Sequence, residues 1–223
     1  MTPEELMRCA HEKVLCYLLK LKEEKYCDLT FDFRRNNRND RLKKGYWFQG
    51  DDDYIFIGIV DPGDKLNRTK QVGLVYRRIN NTPQIYLEFI FRDPEIPQQS
   101  VDCYRSIIKE LKERFGDILH IDANPANNQV KLFYRYDAGN LTVDDFIDFI
   151  DWFYENVWFI ILKHYYVCGI YCDMLISQGG FEDLLSRINK ERKVLYSNNA
   201  YEICCDEKKQ HVNRLKTCFK KCF

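Results

Sequence analysis

Residues 71–92 read QVGLVYRRINNTPQIYLEFIFR, and this stretch is the one that decides the fold. Apolar and aromatic residues fill two runs of strand length, and the run NNTP at 80–83 separates them. Asparagine and proline favour turns, and so short a connection favours antiparallel pairing of the strands that it joins. The stretch therefore predicts a β-hairpin with strands at 71–79 and 84–92.

The sequence on either side of this hairpin extends it into a larger sheet. Short runs rich in aromatic and β-branched residues predict strands, and turn residues separate them. Several of these runs are apolar on both faces, which indicates that helices or a partner cover both sides of the sheet. Further strands are predicted at 29–33, 46–48, 54–60, 118–122 and 129–136.

Apolar residues at helical spacing predict three main helices. Thr2 can cap the first of them, and Pro3 suits its first turn. Thr142 can cap the third, because Asp145 follows it at the spacing of a capping box. The main helices are predicted at 4–24, 101–115 and 142–168, and shorter amphipathic helices at 181–192 and 207–222.

The order of the predicted elements sets the fold class. Strands and helices do not alternate in the rhythm of a doubly wound nucleotide-binding fold. We therefore predict an α+β protein in which a mainly antiparallel sheet of about six strands packs on the three main helices. Gly179 and Gly180 suggest one boundary, between an α+β core domain of residues 1–177 and a helical C-terminal appendage of residues 178–223.

Composition and charge exclude several classes of protein. Hydrophobic residues make up 45% of the chain and aromatic residues 15%, which excludes an intrinsically disordered chain. The 34 basic residues balance the 34 acidic ones, which excludes a generally basic nucleic-acid coat. Lys163, His164 and Asp173 interrupt the most apolar stretch, 157–176, so no membrane span is predicted. The first residues lack the features of a signal peptide, and we expect a cytosolic protein.

The sequence lacks the common motifs of nucleotide-binding and hydrolytic enzymes. The sequence contains neither G-x-x-x-x-G-K-[ST] nor G-x-G-x-x-G, the two glycine-rich loops that bind nucleotide phosphates. The G-x-S-x-G and H-E-x-x-H patterns are missing as well. No cofactor is therefore predicted. His120 and Asp122 are the first catalytic candidates, because they share one face of a predicted strand. They could act as a base and the group that orients it, or as metal ligands; the alternative is an exposed strand face beside a turn.

Glu88 is the second catalytic candidate. Asp61 or Asp64 followed by Glu88 resembles the order of carboxylates in some metal-dependent nucleases. Ile90 occupies the position where such a site has its lysine, so the triad is incomplete. The alternative is that Glu88 pairs with an arginine on a neighbouring strand.

A cluster of possible metal ligands lies in the C-terminal tail. Cys205, His211, Cys218 and Cys222 supply the four thiol and imidazole groups that a structural zinc site uses. They lack the close cysteine pair that is typical of such sites. The alternative is one amphipathic helix that carries these residues without a metal.

Basic residues concentrate in three segments that could bind nucleic acid. The segment 34–44 combines arginine and lysine with asparagine, which indicates an exposed loop, and the hairpin region at 65–78 and the tail at 208–221 add further basic residues. If they meet on one surface, they form a platform for phosphates; the alternative is three solvated patches that never meet. The candidate residues are Arg34, Arg35, Arg38, Arg41, Lys43, Lys44, Arg68 and Lys70.

The third predicted helix carries an acidic stripe that could face a protein partner. Its acidic residues step by four, three and four positions, so they lie on one face. Trp152 widens the apolar surface beyond a single stripe, which indicates either a buried helix or a partner interface. The alternative is the solvated side of an amphipathic helix. The candidate partner-binding residues are Asp144, Asp148, Asp151, Glu155 and Trp152.

Three short stretches resemble a known class of protein. GYWFQG at 45–50, YIFI at 54–57 and NRT at 67–69 are similar to accessory or sensor modules found beside ATPases in bacterial restriction and antiphage systems. The resemblance covers residues 40 to 165 and implies a role as a subunit or sensor. It implies no catalytic residue.

These observations lead to a prediction of function. We predict a non-catalytic cytosolic interaction or recognition subunit of a multiprotein complex, with a protein partner and the capacity to bind nucleic acid. One alternative is a divergent metal-dependent nuclease. The other is a chaperone-like or oligomeric structural protein.

Overall fold

A computed structural model describes residues 2–60, 70–79, 82–91, 97–124, 129–136, 140–171 and 175–198. The chain forms two compact units. The first unit combines residues 1–55 with residues 177–223, and the second consists of residues 56–176. The second unit is therefore inserted into the sequence of the first. The sequence suggested a division at residue 177 and none at residue 55.

The secondary structure confirms the predicted α+β class. The helices are α1 (Pro3–Glu24), α2 (Gln98–Phe115), α3 (Val143–Asn156), α4 (Trp158–Val167) and α5 (Gln178–Ser197). The strands are β1 (Gln49–Gly50), β2 (Tyr54–Gly58), β3 (Lys70–Ile79), β4 (Thr82–Phe91), β5 (Leu119–Asn124) and β6 (Gln129–Tyr134). They form one antiparallel sheet in the order β1-β2-β3-β4-β6-β5. In the described part of the chain, no helix is long and apolar enough to cross a bilayer.

The β3–β4 hairpin is the centre of the sheet, as predicted. The ten residues of β3 pair in register with the ten of β4, from Lys70 opposite Phe91 to Ile79 opposite Thr82. Strand β4 then pairs with β6, and β6 with β5. Because side chains alternate along a strand, this register assigns every residue of these four strands to one of two faces.

Helices α2 and α3 cover one face of the sheet through aromatic contacts. The Phe89 ring lies 5.7 Å from the ring of Tyr104 on α2. The Tyr134 ring lies 5.0 Å from that of Phe149 on α3. These aromatic residues are buried and form the core of the second unit.

The core of the first unit contains a buried charged cluster around Glu12 of α1. Arg192 of α5 donates to Glu12 with an Nη2–Oε1 distance of 2.6 Å, and both side chains are almost fully buried. The Trp47 indole N–H donates to Oε2 of Glu12 at 2.7 Å, and the Tyr196 hydroxyl donates to Oε1 at 2.9 Å. Burial would raise the pKa of the Glu12 carboxyl, but the charge and hydrogen bonds of Arg192 outweigh it, and the pKa is lowered.

Two predicted strands are absent from the sheet. Residues 29–33 and 46–48 are irregular, although a backbone hydrogen bond from Arg34 N–H to the Trp47 carbonyl joins the two segments. Their aromatic side chains are fully buried, and the Phe31 ring packs 5.0 Å from that of Phe181 on α5. The pattern of apolar residues that predicted strands therefore reflects burial in an aromatic core.

The long helix predicted at 142–168 is also wrong in one respect. It divides into α3 and α4 at Val157, although Thr142 and Asp145 form the predicted capping box at its start. The Asn156 side chain donates to the Trp152 carbonyl at 2.9 Å. This carbonyl is also the acceptor that lies four residues before the Asn156 backbone N–H, so the side chain adds a second donor to it at the end of α3.

We predict that Arg192→Met destabilises the protein by about 3–5 kcal/mol, because the Glu12 carboxylate stays buried without its charged partner. Urea unfolding followed by circular dichroism measures the loss. Lys193→Met is the matched control on the exposed side of α5, and we expect a change within about 0.5 kcal/mol. Equal effects of the two substitutions would contradict a stabilising role for the pair.

We predict that Gly73→Ala destabilises the second unit by about 1–3 kcal/mol. A Cβ atom at this position would lie 2.3 Å from the ring tip of Phe56, and that ring is buried and cannot move aside freely. Gly179→Ala is the control, since nothing lies within 4 Å of its Cβ position. The change in melting temperature relative to the wild type should therefore differ in sign or clearly in size between the two variants. Equal melting temperatures would refute the close contact.

Candidate functional site

A surface cleft of about 790 Å³ lies beside the first residues of β5 in the second unit. Strand β5 is the last strand on that side of the sheet among the described residues. The cleft therefore adjoins a sheet edge. Its lining includes Lys112, Asp117, Ile118, His120, Arg135 and Tyr136.

The local folding of two segments brings these residues together. Helix α2 ends at Phe115, and the Ile118 N–H donates to the Phe115 carbonyl at 2.9 Å, which turns the chain into β5. Strand β6 ends at Tyr134, directly opposite Leu119. Arg135 follows with a left-handed φ of 47°, which ends the strand and directs Tyr136 back over β5.

Aromatic rings form a row across the sheet face opposite the one that carries Phe89 and Tyr134. The Tyr136 ring stacks on the imidazole of His120, with centroids 4.3 Å apart. The Phe133 ring lies 5.5 Å from that of Tyr136 and 5.0 Å from that of Tyr86. Phe133 and Tyr86 are buried, whereas Tyr136 is 56% exposed, so the row ends in a solvent-facing ring at the cleft.

The fixed charges at the cleft favour an anionic ligand. Lys112 and Arg135 are exposed cations, and Asp117 is the one carboxylate in the described lining. Arg135 also lies 3.6 Å from the half-buried Asp145, and because the guanidinium is exposed this ion pair contributes little free energy. A ligand carboxylate can therefore compete for the guanidinium.

The predicted pair His120 and Asp122 lies on one exposed face of β5. His120 lines the cleft, and Asp122 is two residues further along the strand. Neither side chain donates to or accepts from the other in the described structure. His120 instead stacks on Tyr136. The sequence located His120 but missed Lys112, Arg135 and Tyr136, since only the β5–β6 register shows that they are neighbours.

The structure places Glu88 in a row of charges that the sequence did not show. Glu88 is buried and accepts a hydrogen bond from the Gln129 side-chain amide. Lys131 stands opposite both Glu88 and Asp122, on the strand between them. The two carboxylates are thus two strand spacings apart, about 10 Å, whereas a metal ion holds its oxygen ligands at about 2–2.6 Å. In the described part of the chain, no three His, Cys, Asp or Glu side chains are grouped as metal ligands.

Most of the predicted basic loop is engaged within the first unit. Arg34 is only 6% exposed and donates to the backbone carbonyls of Tyr46 and Gly50. Arg41 lies 2.7 Å from Asp52 and covers the Tyr46 ring.

The other members of this loop are on or near the surface. Arg35 pairs with Asp32 at 2.9 Å, and Arg38 is exposed. Lys43 and Lys44 lie 3.1 Å from Asp40 and 3.5 Å from Glu4, in exposed ion pairs.

The acidic stripe keeps its predicted orientation. Asp144, Asp148 and Glu155 are exposed on α3, and Asp151 is half-buried. The Trp152 ring packs against Phe115, 5.2 Å away, and is therefore held within the second unit.

Several predicted site residues lie outside the described residues. They include the four possible metal ligands of the tail, Cys205, His211, Cys218 and Cys222. Arg68 is outside as well, and so is the side chain of Lys70. The zinc site and the hairpin part of the phosphate platform stay predictions.

Comparison of the chain with protein-family models, curated proteins and solved structures finds no match. The resemblance to accessory modules of antiphage systems and the cytosolic location therefore stay predictions from the sequence.

We predict that Arg34→Ala destabilises the protein by about 1–3 kcal/mol, because two inward-facing carbonyls lose their donor. Arg38→Ala, in the same loop but exposed, should change stability by less than about 0.5 kcal/mol. Urea unfolding of both variants distinguishes an internal role from a surface role. Equal stability of Arg34→Ala and the wild type would contradict this internal role.

Proposed function

We propose that this chain is a non-catalytic interaction subunit that binds an extended acidic segment of a partner protein along β5. The proposal rests mainly on one observation, that the edge strand β5 borders a cleft with two exposed cations. Two kinds of recognition are combined there. The strand edge can bind the main chain of a ligand, and the cleft can bind its side chains.

The main chain of β5 supplies the first part of the recognition. In the described sheet, β5 pairs on one side with β6 and has no strand on its other side. An extended peptide can add to such an edge through main-chain hydrogen bonds, which provide affinity independent of sequence. Ala123 and Asp122, near the end of β5, are exposed.

The cleft supplies the second part, which is selectivity. Lys112 and Arg135 favour carboxylates on the ligand, as one anion opposes them in the described lining. Ile118 is 41% exposed and Tyr136 is 56% exposed, and these two side chains can cover apolar residues of the ligand. A segment that alternates acidic and apolar side chains fits this arrangement, because alternate residues of a strand face the same way.

The alternatives predicted from the sequence have less support in this geometry. A groove that binds single-stranded nucleic acid combines a row of cations with several exposed aromatic rings. This cleft has two cationic side chains and one exposed tyrosine ring. A nuclease that uses Glu88 would need a second carboxylate beside it; Asp61 and Asp64 lie outside the described residues, and Asp122 lies about 10 Å from Glu88 across two strand spacings. A second copy of the chain could also add at β5, and this outcome can be measured directly.

Peptide binding tests the proposed function. The probe is a fluorescent peptide of about six alternating valine and glutamate residues, and binding is read by anisotropy. We predict that Lys112→Glu with Arg135→Asn weakens binding about tenfold, or about 1.4 kcal/mol, since each exposed charge contributes up to about 1 kcal/mol. Asparagine is chosen because it tolerates the left-handed backbone at residue 135.

Three controls make this test specific. Lys190→Glu, on α5 of the first unit, should leave binding unchanged. A probe with N-methyl groups on alternate residues should lose binding, because methylation removes main-chain donors. A probe with lysine in place of glutamate should bind at least tenfold more weakly than the acidic one.

Other outcomes would overturn the proposal. Equal binding of the acidic and basic probes would refute recognition by charge. Tighter, salt-sensitive binding of a single-stranded RNA oligomer that the double variant abolishes would support the nucleic-acid alternative. Magnesium-dependent cleavage of that oligomer would support the nuclease. A dimer of the chain that dissociates when β5 is substituted would support the oligomeric protein.

A further inference from the structure

Two free thiols meet where helix α2 packs on helix α4 in the second unit. Cys103 lies in the middle of α2 and is fully buried. Cys168 is the C-cap residue of α4 and is half-buried, so reagents in solution can reach it. Neither residue contributes to the cleft at β5.

The backbone around Cys168 is held against α2. The Gln99 side-chain amide donates to the Cys168 carbonyl. Gln99 and Cys103 are four residues apart on α2, which places them on the same face of the helix. The hydrogen bond that fixes Cys168 therefore comes from the face that carries Cys103.

The end of α4 is closed by a local motif that fixes the same residue. Gly169 has a φ of 69°, and its N–H donates to the Tyr166 carbonyl at 3.1 Å. The Ile170 N–H donates to the Tyr165 carbonyl at 3.0 Å. Together these bonds form the Schellman motif, which terminates a helix in one defined geometry.

The two thiols interact with each other. Burial, a hydrogen bond with Cys168 and the charge of that group together raise the pKa of the Cys103 thiol to about 12, and burial is the largest of these causes. Such an interaction requires the two side chains to be neighbours. The ring of Tyr104, which follows Cys103 on α2, lies 6.3 Å from the ring of Tyr165, which is one turn before Cys168 on α4.

We propose that Cys103 and Cys168 are an oxidation site that forms a reversible disulfide in response to hydrogen peroxide. Cys168 is the residue that reacts with peroxide, because it is accessible. Cys103 is the residue that resolves the product, because it is buried beside Cys168 and protected from peroxide. The disulfide joins α2 to α4 and is independent of the peptide binding proposed at β5.

The chemistry proceeds in two steps. The Cys168 thiolate attacks one peroxide oxygen, the O–O bond breaks, and the departing hydroxide takes up the proton that the thiol released, which gives water and a sulfenic acid. The Cys103 sulfur then attacks the Cys168 sulfur, the S–O bond breaks and the S–S bond forms. The departing hydroxide leaves with the Cys103 proton as a second water. The two thiols lose two electrons and peroxide gains them, and a small dithiol reverses the reaction by exchange.

Peptide mapping of the full chain tests the proposal. The folded protein is treated with hydrogen peroxide, alkylated, digested without reductant and analysed by mass spectrometry. We expect a linked pair of peptides that contain Cys103 and Cys168, lighter than the two thiol peptides by two hydrogen atoms. Dithiothreitol should restore both thiol peptides. Cys27→Ser, which removes an exposed free thiol of the first unit, should leave the link intact.

Single substitutions separate the roles of the two cysteines. In Cys103→Ala, peroxide should leave a sulfenic acid on Cys168 that a 1,3-dione reagent traps, and the wild type should yield at least tenfold less adduct. In Cys168→Ser, Cys103 should stay a thiol. A link from Cys168 to another cysteine would overturn the proposal, and so would a Cys168 thiol that survives while Cys27 is oxidised. The Cys168→Ser variant keeps the core intact, so the test does not depend on the buried substitution.

Discussion

The register of the β3–β4 hairpin is the constraint on which the second unit depends. Pairing from Lys70 opposite Phe91 to Ile79 opposite Thr82 decides which side chains face the helices and which face the other way. A shift of one residue would exchange the two sets. The aromatic contacts with α2 and α3, and the positions of β6 and β5, all follow from this register.

The first unit depends on a different kind of interaction. Its buried Glu12 accepts hydrogen bonds from side chains on α5 and from the Trp47 indole. A buried ion pair contributes less net stability than its distances suggest, because both groups lose their hydration. We expect its larger effect to be selection of one arrangement, since an apolar core tolerates several arrangements and this cluster satisfies its donors in one.

The sequence predicted the local elements well and the assembly of sites poorly. Periodicity located the hairpin, the helices predicted at 4–24, 101–115 and 181–192, and the capping box at Thr142, because these features depend on residues close in sequence. The helix predicted at 207–222 lies outside the described residues. Arg34 was expected in a solvated loop, and its burial depends on two carbonyls that only the fold brings to it. The row formed by Glu88, Lys131 and Asp122 likewise requires the register of three strands. Residues 29–33 show the remaining error, since burial and strand formation produce the same apolar pattern.

The insertion of the second unit into the first has a consequence for synthesis on the ribosome. Glu12 and Arg192 are 180 positions apart, and the whole second unit lies between them. Helix α1 is thus complete long before its charged partner Arg192 is translated. All residues of the second unit are translated before α5. We expect the inserted unit to fold first. Until α5 emerges, the nascent chain has to keep the apolar face of α1 from associating elsewhere, which makes the early chain a natural substrate for chaperones.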